Sequence, residues 1–145
     1  MSLDENKELV REMVEVMFNQ GDASLGDKFL SPDFIENEEL PPGVPAGREG
    51  VKLLAGMLHA AFPDFQATIE DLIAEDDRVV IRMAWTGTHE GEFMGIPPTG
   101  NRVSFGVFDI VRIADGMIVE HWGQMDNMGL LQQLGVMPAP GAGEG

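Results

Sequence analysis

The chain contains no cysteine and only three histidines in 145 residues. Disulfides and thiolate chemistry are thereby excluded, and a reducing compartment, the cytoplasm, is the expected setting. A structural zinc site is not expected either. His59, His89 and His121 include no pair at the close helical spacing that such sites often use. Long apolar runs are missing: none approaches the roughly 18 residues needed to span a membrane. The N-terminus lacks the basic-then-apolar order of a secretory signal. Positive charge is scarce, with nine Lys and Arg against 25 Asp and Glu and a net charge of −16. An acidic surface of this kind repels nucleic acid and anionic membranes, so neither is expected as a partner. Its ordinary effect is solubility. No internal repeat is present.

With 43% apolar residues, the chain can build one self-sufficient core. Residues 4–137 are read as a single domain. Met1, Ser2, Leu3 and the final Glu144-Gly145 are set outside the fold, and the tail PAPGAGEG (138–145) has too little to bury and is expected to be disordered.

The first half reads as helices. Val10, Met13, Val14, Met17 and Phe18 make one apolar stripe over residues 4–20, with Gly21 as C-cap. A short helical turn is expected over Ala23–Phe29, then a brief strand over Phe34–Asn37. Three prolines and two glycines make 41–47 a loop. A second helix over 48–61 presents Val51, Leu54, Leu58 and Ala61 and stops at Pro63. Thereafter the pattern is that of strands: Gln66–Glu75, Arg78–Thr88, Val103–Ala114 and Met117–Met125. The last two join across Asp115-Gly116, a strong hairpin signal. A closing helix over Met128–Leu134 can be capped by Asn127. The order implies an α+β architecture, with helices on one face of a mostly antiparallel sheet.

Polar residues set into apolar strands are the candidate site. Asp109 shares a strand face with Phe105, Val107, Val111 and Ile113. An acid in such surroundings is either paired or held neutral as a hydrogen-bond donor. His121 has an ordinary pKa of about 6.5, suited to acid/base work near neutral pH. Asp126 ends its strand where it can cap the last helix or act as a third catalytic group. His89 lies in a turn-prone stretch and is as suited to holding a loop as to joining a site. Met83 and Trp85 share one strand face and, with Phe93, Met94 and Trp122, can line an apolar pocket. Glu36, Glu38 and Glu39 read as a solvated loop. Phe108 and Ile110 lie opposite Asp109 and need other cover, so a homodimer through the outer sheet face is expected.

The segments GTHEGEFMGIPPTG (87–100), RIADGMIVEHW (112–122) and LLQQLG (130–135) resemble the SnoaL-like polyketide (ester) cyclases, within the ketosteroid isomerase/NTF2-like superfamily. The resemblance covers nearly the whole chain. It implies a cone-shaped α+β barrel: a strongly curved, mostly antiparallel sheet wrapped around the N-terminal helices, with a pocket at the open end. It also implies catalysis without metal or cofactor. In the aldol cyclases of that family an Asp on the strand after the hairpin does acid/base work, assisted by a His on the strand before it. Those positions fall here on Gly123 and Asp109, so the Asp is absent and the His is replaced by a carboxyl. In ketosteroid isomerases the position of Asp109 carries an oxyanion-binding Asp, and the base position falls on Asn37 or Glu36.

Two functions follow. One is a cofactor-independent acid/base enzyme acting on a small hydrophobic carbonyl compound by aldol ring closure or isomerisation. Its catalytic residues would be Asp109, His121 and Asp126, and its substrate-binding residues Asn37, Met83, Trp85, His89 and Phe93. The other is a non-catalytic module of the same fold that binds a small molecule or a partner. Epoxide hydrolysis would need an Asp–Arg–Asp relay from Arg82, Arg112, Asp109 and Asp126, and ranks last.

Overall fold

A computed structural model describes residues 2–137; the expected disordered tail, 138–145, lies outside the described residues. Helix α1, Leu3–Met13, opens with a capping box: Ser2 accepts from the Glu5 amide while the Glu5 carboxylate accepts from the Ser2 amide. Ser2 and Leu3, set outside the fold on sequence, therefore belong to it. The helix runs on into a wider π-helical stretch, Val14–Asn19. Its apolar stripe of Val10, Met13, Val14 and Met17 is buried. The stretch ends where His59 takes the Phe18 carbonyl, a terminal acceptor that the helix itself leaves open.

A short 3-10 turn leads into α2, Gly26–Phe29, and strand β1, Leu30–Glu36. Helix α3, Arg48–Ala61, is followed by β2 (Gln66–Glu75), β3 (Arg78–Thr88), β4 (Arg102–Ala114) and β5 (Met117–Met125). Helix α4, Asn127–Gln133, closes the fold, capped by Asp126 rather than Asn127: the Asp126 side chain accepts from the Gly129 amide at 2.9 Å.

The five strands form one sheet in the order β1-β5-β4-β3-β2, antiparallel except for the β1–β5 pair. This is the α+β cone expected from the sequence. Asp115 and Gly116 both take positive φ, 52° and 74°, as a two-residue hairpin requires. Alternation places Val79, Ile81, Met83 and Trp85 of β3 and Val103, Phe105, Val107, Val111 and Ile113 of β4 on the concave face. There they meet Val10, Met17, Phe29, Leu58 and Phe62 from the helices in one core. Each such side chain stabilises by about 1.5–3 kcal/mol when fully buried. The concave face has to hold together on apolar packing alone, except at the β1–β5–β4 end. There the polar groups enter.

Candidate active site

Three adjacent strands supply the cluster. Glu36 ends β1 and stands in register with His121 of β5. Gly123, two residues along on the same face, is paired directly with Asp109 of β4. The His121 ring spans the gap. Its Nδ1–H donates to Glu36 Oε2 at 2.5 Å, and its Nε2–H donates to Asp109 Oδ1 at 2.8 Å. The side chains of Glu36, Asp109 and His121 are 6%, 12% and 18% exposed. Burial by itself pushes the imidazole pKa down. The two carboxylate hydrogen bonds and charges outweigh that and push it up to about 10. At neutral pH, then, His121 carries its proton, with both N–H groups engaged. An imidazolium held in this way cannot accept a proton. Asp109 correspondingly accepts a hydrogen bond instead of donating one.

Gly123 makes the convergence sterically possible. A Cβ there would lie 2.5 Å from Asp109 Oδ1, 2.5 Å from Glu38 Oε1 and 2.8 Å from His121 Cε1. The two carboxylate oxygens thus stand within about 5 Å of one another, around the space that a side chain at 123 would fill. Glu38 follows the end of β1 and turns inward with Phe34, Glu36 and Leu40. Burial pushes its carboxyl above the usual range, reinforced by the charges of Asp109 and Glu36 and opposed by that of His121.

The cluster faces a narrow cavity of about 80 Å³ walled by apolar side chains, among them Met13, Phe34, Met83, Trp85 and Val107. A larger chamber of about 530 Å³ adjoins it, lined by Asn37, Pro41, Leu58, Phe93 and Met94 among others. Glu38, Leu40, Leu54, Trp85 and Met125 line both. The outer chamber has ligand dimensions and the inner one does not. Trp85 packs against Phe18, Phe65 and Phe105, and its buried indole N–H has no acceptor among the described residues. An unpaired buried donor of this kind costs about 1–3 kcal/mol.

The other sequence candidates are placed as follows. Met83 and Trp85 line the inner cavity, and Phe93 the outer chamber. Asn37 lines the outer chamber too, but its amide donates to Glu120 Oε2 and to the His121 carbonyl, both at 3.0 Å. It ties β1 to β5. Asp126 caps α4 and lines neither chamber. His89 is fully buried in the loop before β4, where its Nδ1 accepts from the Thr99 amide at 3.2 Å. It holds the GIPPTG turn and likewise stands off the cavity. The Asp–Arg–Asp relay is not assembled, because Arg82 pairs with Asp71 and Arg112 with Glu120 on the outer face. His59, at the end of α3, and His89 are both remote from His121 in use. Among the described residues no group of three His, Asp or Glu is placed to hold a metal.

Sequence reasoning raised Glu36 only through the resemblance, as an alternative base position, and read Glu38 as part of a solvated loop. The alternation Phe34, Glu36, Glu38, Leu40 was the available signal, and all four line the inner cavity.

The family model for SnoaL-like polyketide cyclases matches residues 7–134. The chain belongs to that family. It is 31% identical over 120 residues to the nogalonic acid methyl ester cyclase of Streptomyces nogalater, covering 81% of this chain and 89% of that protein. Among solved structures it superposes on TsrD from Streptomyces laurentii with a TM-score of 0.86 and 32% identity, over 94% of this chain and 99% of that one. It also superposes on AclR from Streptomyces galilaeus, for which a hydroxylase role has been put forward, with a TM-score of 0.80 and 40% identity over 95% and 85% of the two chains. As a family member the protein is a polyketide cyclase-type enzyme built on the NTF2-like cone. The cluster at the β1–β5–β4 end of the cavity is where its ionisable groups meet. Among the described residues no helix is long and apolar enough to cross a membrane.

Proposed function

We propose that the protein closes a ring in a polyketide methyl ester, of the kind named for its nogalonic acid methyl ester relative, by intramolecular aldol addition. The observation that supports this reading best is the clamped imidazolium: His121 held between Glu36 and Asp109 at the wall of an apolar cavity, with Glu38 beside it. A carboxylate of the cluster removes a proton from a carbon flanked by carbonyls. The C–H pair becomes the enolate, whose carbon attacks a second carbonyl of the same molecule. The new C–C bond forms as the carbonyl π pair moves to oxygen, and that oxygen takes up the proton. Substrate and product are isomers, and no other reactant is needed. The positive charge of His121 stabilises the enolate in a poorly hydrated site, where such a charge acts more strongly than in water. The unpartnered Trp85 N–H is a donor for the developing oxyanion.

The body of the substrate fits the outer chamber, with its reacting carbons at the shared wall. Incubation with nogalonic acid methyl ester, followed by chromatography and mass spectrometry, tests the reading. An isomeric product of unchanged mass is expected, and its formation should fall at least about 100-fold in Asp109→Asn. Unchanged substrate, or a product gaining an oxygen atom, would sink the proposal.

The outer sheet face supports a homodimer. Ile73, Val80, Ile110 and Trp122 follow one another across β2, β3, β4 and β5 in register, and Phe108 beside them is 56% exposed. A second copy would cover that row. The lack of cysteine fits work in the cytoplasm.

A further inference from the structure

We infer that Glu38 is the group that takes the carbon-bound proton, and that Gly123 is the position whose missing side chain gives it room. This deepens the ring-closure reading and rests on it. Four carboxylate or imidazole side chains line the inner cavity: Glu36, Glu38, Asp109 and His121. Three of them are committed to one another, since both nitrogens of His121 are taken by Glu36 and Asp109. Among the described residues no side chain or amide donates to the Glu38 carboxylate. The Glu38 amide itself donates to Glu36 Oε2 at 3.5 Å.

Position separates Glu38 further. Among the described residues it is the one ionisable side chain that lines both the narrow inner cavity and the ligand-sized outer chamber. Asp109 and Glu36 line only the inner one, and Glu39 only the outer. A substrate whose bulk fills about 530 Å³ outside presents its reacting carbons at the wall between the two. That is the wall Glu38 occupies. Burial and the neighbouring carboxylates raise its basicity, as proton abstraction from carbon near neutral pH demands. His121, fixed within reach of the same space, offsets the charge that builds on the substrate oxygen. In the forward step the α-C–H bond breaks, its proton moves to a Glu38 oxygen, and the electron pair enters the enolate. After the C–C bond forms, Glu38 returns that proton to the new alkoxide.

The test uses the intact protein and methyl benzoylacetate, whose α-hydrogens exchange with D2O, followed by quenched-flow mass spectrometry. The wild-type protein should accelerate exchange over buffer. Glu38→Gln, an uncharged replacement of the same size, should lose that acceleration by roughly 10²-fold or more while still binding the ester. Glu38→Asp should recover part of it with a displaced pH profile, and Gly123→Ala, which puts a methyl where the carboxylate oxygens converge, should lose most of it. Circular dichroism checks that each variant is folded. Exchange by Glu38→Gln at the wild-type rate overturns the assignment, as does an absence of exchange by the wild-type protein. If the wild-type protein exchanges, Glu38→Gln does not, and no ring closure of the polyketide ester occurs, Glu38 stands and the ring-closure reading falls.

Discussion

The doubly bonded His121 makes stability depend on pH in a window where few other groups titrate. Its ordinary pKa is 6.5 and in the folded protein it is about 10, held there by Glu36 and Asp109 against the cost of burial. A group whose pKa is raised by folding contributes fully below the unfolded value and loses that contribution as pH rises to the folded one. The shift corresponds to about 5 kcal/mol, lost at about 1.4 kcal/mol per pH unit between pH 6.5 and 10. That is a large share of the 5–15 kcal/mol by which domains are ordinarily stable. Cysteine and tyrosine, which ordinarily titrate in the upper part of that window, are absent from the chain. The groups facing the ring are Glu36, Asp109 and Glu38. Glu38 too is raised, so its contribution declines with rising pH from a lower start, in the same direction. Urea denaturation from pH 6 to 10 should show the fall. The His121 ring resonances should titrate far above those of an exposed histidine. Glu36→Gln/Asp109→Asn removes both negative charges, returns the ring toward its ordinary value and flattens the profile above pH 7. A wild-type ring titrating near 6.5, or stability that stays level from pH 7 to 9, would refute the clamped-cation account.

Two further outcomes are expected. Trp85→Phe keeps an aromatic ring among Phe18, Phe65 and Phe105 but removes the orphaned N–H. It should lower kcat/KM by about 100-fold, the scale of one lost oxyanion donor, with Tm within a few degrees of wild type; undiminished activity would remove Trp85 from that role. Phe108→Glu on the convex face should turn a dimer of 15.8 kDa chains into a monomer by sedimentation, and a wild-type protein already monomeric at micromolar concentration would argue against the interface.

Much of the fold could be read from residue order, and the exceptions have physical causes. Strands β2, β3 and β5 begin and end where alternation and the Asp-Asp and Asp-Gly turns placed them. Strand β1 starts four residues earlier than expected, at Leu30 rather than Phe34. Pro32 falls in the stretch between Leu30 and Ile35 where pairing to β5 shifts register, on a sheet edge that asks no amide of it. The π-helical end of the first helix has no local signature, because its carbonyl partner, His59, comes from another helix.

The site was half legible for a related reason. Asp109 and His121 stood out because each interrupts an apolar strand, and both do line the cavity. Their roles could not be assigned, because a histidine's pKa is set by what lies across the sheet, and β1 reaches β5 from 85 residues away. Three acids within four residues, Glu36 to Glu39, looked like a solvated turn. Alternation on β1, however, sends Glu36 to the face of Phe34, and Glu38, just past the strand's end, turns inward as well, while Asn37 and Glu39 do not line that cavity. The empty place at Gly123 carried the same information in reverse. A strand residue with no side chain, directly opposite a buried carboxylate, leaves a gap that something must fill, and the nearest filler is a second carboxylate. Two acids brought that close both keep their charge only with a cation between or beside them. The chain's positive residues are few, and the lysines and arginines with assigned partners are paired on the surface, as Lys52 is with Asp27 and Arg112 with Glu120. His121 stands beside the acids of the cluster instead. The proton it carries balances that cluster, and the base of the proposed reaction is sought in the carboxylate to which His121 makes no hydrogen bond, Glu38.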